Sequence, residues 1–447
     1  MPPTPFQEKR PKSFLKTFGR LAIANMFSNL MVPLAGIIDT AFLGHLAEVH
    51  YLGGVAISAI IFNVVYWSFS FLRMGTTGTI AQAYGRQDFR TISLILLRNG
   101  LLAVAIGCLI LLLQVPIRQL GFWLLSADTD VRLSGEAFYN ARIWGAPAVL
   151  LNYVLLGLFI GCGQGKRVIA MSIVGNGSNI LLDYLFIWRL GWASAGAGAA
   201  TAMSQGCMLL VGSILVLRKF SLPQLWRLRT DLWEGSAVYA MVRLNRDLLI
   251  RTFALLISFA LFTNWSSAMG TAVLAANTLL LQVVTLTSYF VDGLAFATES
   301  FAGQFYGVGD RTRLQTLLIW GISLGTLVGV TIALVFLTFP KSLFQVMTQH
   351  DSVISQVEDY VGWLVPILGF GAIAFLLDGY FLGLTAGSSL RNSTLVATLA
   401  GFLPIGLIAQ SLEAPHLLWL ALTSFMALRA ITLLSQIPKT LQPVHKT

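Results

Sequence analysis

The sequence predicts an all-α integral membrane protein of about twelve transmembrane helices, built from two copies of one six-helix unit. Three observations carry that prediction: a composition too apolar for water, apolar stretches of spanning length along the whole chain, and one internal offset that recurs on both sides of a central basic segment.

Of 447 residues, 56% are hydrophobic and 11% charged, where an ordinary soluble domain carries about a quarter charged. Apolar stretches of about 14 to 26 residues recur, most of them long enough to cross roughly 30 Å of hydrocarbon as a helix. The first six are Leu21–Leu43, Leu52–Leu72, Ile92–Val115, Phe138–Leu158, Val168–Ile187 and Ala193–Leu217. The second six are Leu248–Thr263, Leu274–Ala297, Leu314–Phe339, Val361–Phe381, Leu395–Ile408 and Leu417–Leu434, and all are numbered as spans 1 to 12. Barrel strands would alternate and run about 10 residues, so helices must satisfy the backbone. No cleavable leader is expected, because Met1–Arg20 is polar and basic and the first apolar stretch has spanning length.

The net charge of +10 raises nucleic acid as a partner until its distribution is considered. With the N-terminus inside and the spans alternating, roughly 23 of the 29 Lys and Arg fall on the cytoplasmic side and about 5 on the other, with Arg73 inside a span. Lys9, Arg10, Lys12, Lys16 and Arg20 lead into span 1, and Arg86, Arg90, Lys166, Arg167, Arg311, Arg313 and Arg391 occupy later inner loops. The excess is a topology signal, not a nucleic-acid footprint. It places both termini in the cytoplasm. Cys108, Cys162 and Cys207 lie in or beside apolar helices without CxxC spacing, which fits packing and not metal or redox work.

The longest hydrophilic segment, Arg218–Asn245, divides the chain into an N-terminal lobe (1–217), a cytoplasmic linker (218–245) and a C-terminal lobe (246–447). In it Arg218, Lys219, Arg227, Arg229 and Arg243 interleave with Leu225, Trp226, Leu228, Leu232 and Trp233, a pattern for a short helix on the inner headgroups or for a plain basic linker. Across it, one offset of 222 residues carries Gln82, Tyr84, Gly85 and Asp88 onto Gln304, Tyr306, Gly307 and Asp310. The same offset carries Gly157, Phe159, Gly161 and Gly165 onto Gly379, Phe381, Gly383 and Gly387. An even number of helices per unit makes the two copies parallel, related by an axis along the membrane normal, which is a transporter device. Two such lobes can rock about a central cavity.

A carboxylate at the centre of a membrane helix costs at least about 2.5 kcal/mol, so each one invites a functional reading. Asp39 follows Pro33 by six residues in span 1, where the missing N–H and the ring favour a bend. Asp183 and Asn179 share a face of span 5, one turn apart. Counting along alternating spans puts Asp39, Asp183, Tyr139 of span 4 and Thr201 of span 6 at one depth in the outer half. Two carboxylates, an amide and a hydroxyl form an all-oxygen set suited to Na⁺, or to a shared proton, because adjacent anions in low dielectric resist double ionisation. In the second lobe Asp247, with Arg251 at i+4, Asp378 at a helix end and Glu299 near the inner surface are weaker candidates. Asp292 is the most deeply placed of that group. Arg73 and Arg98 are expected to snorkel or to pair with these acids.

The chain resembles the multidrug and toxic compound extrusion (MATE) family, in its DinF branch, over nearly all its length. The resemblance rests on the segments PLAGIIDTAFLGHL from Pro33, YLGGVA from Tyr51, FLRMGTTGTIAQAYG from Phe71, VGNGSNILLDYLF from Val174 and LNRDLLIRT from Leu244. VDGLAFATESFAGQFYG from Val291, LLDGYFLG from Leu376 and LRNS from Leu390 extend it. It implies two lobes forming a V and a cation site in the first lobe at Asp39, Asn179, Asp183 and Thr201, which would hold Na⁺ only if sodium is the driver. It also implies a bend of helix 1 at Pro33 and a network role for Tyr139 and Asn152. The absence of a carboxylate in the middle of span 7 argues against a second-lobe sodium site, and the branch favours H⁺.

The expected function is secondary efflux of amphipathic, often cationic, organic compounds in exchange for H⁺, with Na⁺ the alternative, by a multi-pass protein of the bacterial inner membrane. Its partners would be such small molecules and the bilayer, with no nucleic acid, no cofactor beyond the coupling ion, and a monomer as the working unit. A lipid-precursor flippase of the same superfamily is the runner-up, but few Arg or Lys lie mid-span to meet a pyrophosphate. A membrane-embedded enzyme would need a catalytic constellation at one depth, and the five histidines lie outside the apolar stretches.

Overall fold

A computed structural model describes residues 14–46, 48–125, 128–220, 223 and 228–442. Among them, twelve helices are long and apolar enough to cross a membrane. Spans 1 to 6 are Phe14–Gly44, His50–Gly85, Phe89–Leu112, Thr129–Gly161, Gly165–Arg189 and Ala193–Leu217. Spans 7 to 12 are Gly235–Ala268, Thr271–Val308, Arg311–Thr338, Asp351–Gly383, Gly387–Ser411 and Pro415–Leu441. Each contains most or all of a predicted stretch, and nearly all run farther, because hydropathy marks the apolar middle of a helix and not its polar ends. No strand occurs among the described residues. The protein is an all-helical, multi-pass membrane protein.

Two compact units divide the chain, Met1–Met241 and Val242–Thr447. Every span of the second begins 221 or 222 residues after its counterpart in the first. The repeat extends to single atoms. The Asp88 carboxylate accepts the Thr91 N–H at 2.9 Å and caps span 3, and Asp310 accepts the Arg313 N–H at 3.0 Å and caps span 9. Left-handed residues recur as well, Gln87 (φ 59°) with Gly309 (φ 83°) and Gly163 (φ 69°) with Thr385 (φ 56°).

Within each unit the repeated glycines let two helix backbones touch. A Cβ on Gly157 would lie 2.8 Å from the Arg73 carbonyl oxygen, and one on Gly161 2.7 Å from that of Thr77. In the second unit the corresponding distances are 2.3 Å from Gly379 to the Ala295 oxygen and 2.4 Å from Gly383 to the Glu299 oxygen. A small residue every fourth position is what lipid-embedded helices need for this approach.

Several spans are irregular. Span 2 breaks at Phe69–Ser70 between His50–Ser68 and Phe71–Gly85. Span 4 passes from Thr129–Arg142 through a 3₁₀ turn, Ile143–Gly145, into Ala146–Gly161. Span 5 is α-helical to Asp183 and then widens into a π-helix, Tyr184–Arg189. Span 10 carries a 3₁₀ turn at Val361–Trp363 and span 11 a π segment at Ala397–Phe402. Span 1 runs through Pro33 as one helix.

The segment expected to be linker is partly helix, since span 7 already starts at Gly235, with no proline or further glycine to stop it before the hydrocarbon begins. A 3₁₀ turn at Leu228–Asp231 precedes it. That turn is strapped to span 3: Arg90 pairs with Asp231 at 2.5 Å, and Arg98 donates to the backbone oxygens of Asp231 (2.6 Å) and Leu232 (2.8 Å). Arg98 therefore serves the linker and not a second-lobe acid. Lys9, Arg10, Lys12, Leu225, Trp226 and Arg227 lie outside the described residues.

Candidate functional site

Span 1 packs along span 5, and span 5 along span 6. The Ser28 and Ser172 hydroxyls meet across the first of these seams. Asp183 closes the α-helical part of span 5 and is fully buried, and the π turn begins at the next residue. Single π turns inside α-helices gather at functional sites. Asp39 is half-buried, and Pro33 denies a hydrogen bond to the carbonyl one turn earlier in the same helix.

The Asp39 and Asp183 carboxyls lie close enough to act directly on each other. Ionised carboxylates only accept, so such a contact holds when one group carries a proton or a cation joins them. Asp39 Oδ1 and both Asp183 oxygens are shut from solvent and have no hydrogen-bond partner. Asn179, buried one turn before Asp183, has an amide nitrogen equally without a partner. Two acids and an amide thus share a dry place with unmet hydrogen-bonding capacity.

The hydrogen bonds of the other candidates go to other partners. Thr201 donates to the Ala197 carbonyl of its own helix at 2.9 Å. Tyr139 stacks on Phe62 at 5.1 Å and donates to the Gln114 carbonyl at 3.0 Å, at the start of the short helix Gln114–Leu124. Asn152 donates at 3.0 Å to the backbone and side-chain oxygens of Gln205, tying span 4 to span 6. Equal depth along helices placed these groups at one level, but depth does not fix the face to which each side chain points.

Arg142 went unnoticed in the sequence. Its guanidinium lies 4.6 Å from the centroid of Phe62, 5.5 Å from Phe138 and 5.9 Å from Tyr66, and it acts through space on Asp39. The available signal was its spacing, three residues after Tyr139 and so on the same helix face.

In the second unit two of the acids are ion-paired. Asp378 lies inside the helix Leu364–Gly383, not at its end, and both Arg251 and the fully buried Arg429 donate to its Oδ2. Arg251 thus pairs with Asp378 across helices and not with Asp247 on its own. Asp247 instead receives Arg391 at 2.8 Å and Arg246 at 3.0 Å. Asp292 acts on Arg429 through space, and Glu299 is fully buried within span 8. Among the described residues no group of three His, Cys, Asp or Glu side chains gathers.

The MatE family profile matches residues 24–185 and 248–408, one copy in each unit. The chain belongs to the MatE family. DNA damage-inducible protein F of Escherichia coli (strain K12) is 34% identical over 94% of this chain and 91% of its own length. The probable multidrug resistance protein NorM of Thermotoga maritima is 24% identical over 75% of this chain and 72% of its own. Among solved structures, an outward-facing multidrug resistance MATE family transporter of the MOP superfamily superposes with TM-score 0.86 at 19% identity, over 96% of this chain and 97% of that one. A MOP superfamily transporter from Pyrococcus furiosus superposes with TM-score 0.85 over 95% of both chains. The chain is therefore a member of the MATE family with that family's fold, as the resemblance implied.

Proposed function

We propose that this MATE transporter is a proton-driven antiporter that exports amphipathic organic compounds, many of them cationic, by alternating access from a bacterial inner membrane, with both termini in the cytoplasm. The observation that carries the reading is the close approach of Asp39 and Asp183, three of whose four carboxyl oxygens are shut from solvent without a hydrogen-bond partner. With one proton between them the two acids attract. Without it they are two buried anions that repel, and span 1, lacking a hydrogen bond at Pro33, is the helix that yields. The preference for the proton over sodium follows the resemblance to the DinF branch. The cytoplasmic placement of the termini rests on the asymmetry of Lys and Arg.

The test is efflux of a fluorescent organic cation from proteoliposomes under a proton gradient alone and a sodium gradient alone. Wild type is expected to run on the proton gradient, and a folded Asp39→Asn variant to lose that efflux. Full efflux by Asp39→Asn, or wild-type transport driven by sodium alone, would overturn the assignment.

A further inference from the structure

A guanidinium inside a membrane protein normally closes a bidentate pair with a carboxylate. Arg142, only partly buried, does not. It faces Asp39 electrostatically, yet no ion pair of 4.0 Å or less joins them. Its Nε is shut from solvent and lacks a hydrogen-bond partner, as does Asp39 Oδ1. What holds the cation is the aromatic seat of Phe62, Phe138 and Tyr66. Aromatic faces attract any cation with little directional demand, so such a seat retains a charge without locking it. The backbone adds freedom at the same point, because the α-helix ends at Arg142, a 3₁₀ turn follows, and Pro147 lies just beyond.

We propose that Arg142 is an internal competitor for the ligand side of Asp39, occupying the aromatic seat and the carboxylate's field that an organic cation would otherwise take. Arg142 is then a specificity-determining residue of the first unit, and a cationic substrate is held there only by displacing it. The 222-residue counterparts of Asp39 and Arg142 are Leu261 and Leu364, so the device belongs to one unit only. This inference rests on the reading of Asp39 given above, and the experiment separates the two.

The measurement is the KM for gradient-driven efflux of ethidium, and of an uncharged dye of similar size, from proteoliposomes holding the full chain. Arg142→Gln is expected to lower the ethidium KM by about 5- to 30-fold, the range a desolvated cation–π contact is worth, and to leave the uncharged dye's KM unchanged. Arg142→Met, which keeps the aliphatic packing without the charge, should do the same, and Arg142→Lys should stay near wild type. An unchanged ethidium KM in the folded Gln and Met variants, or a parallel change for both dyes, overturns the inference. Asp39→Asn is the control: full ethidium efflux by that variant removes the coupling reading itself, whatever Arg142 does.

Discussion

Spans 4 and 10 begin 222 residues apart, each contains a 3₁₀ turn, and each presses a pair of glycines against the neighbouring backbone at spans 2 and 8. The charged residues do not follow the repeat. Leu261 and Ile405 stand where the first unit has Asp39 and Asp183, while Asn25, Leu156 and Cys207 stand where the second has Asp247, Asp378 and Arg429. In the second unit Asp247 and Asp378 each meet two guanidinium groups. In the first unit two acids meet each other, and a cation waits nearby on aromatic rings. A shared scaffold therefore carries carboxylates closed by guanidinium ion pairs in one unit and carboxylates without an ion pair in the other, with buried polar atoms left unpartnered in both. Partly satisfied buried networks cost stability and point to function.

Breaking the pairs should separate the two roles. Asp378→Ala strands Arg251 and Arg429 in a dry interior and is expected to cost about 3 to 5 kcal/mol, seen as a large fall in the thermal unfolding midpoint in detergent micelles. Asp183→Asn should leave that midpoint equal or higher. Equal midpoints for Asp378→Ala and wild type would erase the distinction.

A smaller effect is expected where the units agree. Alanine at Gly383 would place its Cβ 2.4 Å from the Glu299 oxygen, against 2.7 Å for Gly161 and the Thr77 oxygen. Gly383→Ala should cost about 1 to 3 kcal/mol by overpacking, and Gly161→Ala less, measured by the same unfolding curve. A larger loss at Gly161 would show that the tighter backbone contact is not the limiting one.

The smallest effect concerns the strap between span 3 and the linker. The Arg90 guanidinium, hydrogen-bonded to Asp231, holds that carboxyl below the usual carboxylate range. A lowered value in the folded state means the contact is complete above the ordinary pKa of about 4 and is lost as pH falls through the folded value. Amide exchange at Leu228–Glu234 should therefore quicken, relative to the cores of the spans, on going from neutral pH to below the carboxylate range once the intrinsic pH effect is removed. Arg90→Ala should abolish that difference, and persistence of it in the variant would assign it to another group.

The helix count and the repeat were legible because hydropathy and glycine spacing are properties of single segments, and Gly157 and Gly161 do in contact what their spacing promises. Asp39 and Asp183 were legible because an acid in an apolar run is conspicuous wherever it points. Side-chain partners were not. Asn152 met Gln205, Thr201 turned back to Ala197, and Arg251 passed over Asp247 for Asp378, since helix rotation is set by packing against several neighbours at once. Arg142 was hidden for the opposite reason, as an arginine near a helix end looks like a topology marker until the rings around it are seen.

Asp39 and Asp183 act as one titrating unit in the proposed mechanism, and a double-mutant cycle in proteoliposomes decides whether they do. Proton-driven efflux is measured for wild type, Asp39→Asn, Asp183→Asn and the double variant. If the pair shares its proton, the double variant is no slower than either single one, because removing one partner already disables the unit. Losses that multiply, each residue contributing its own factor, would contradict it.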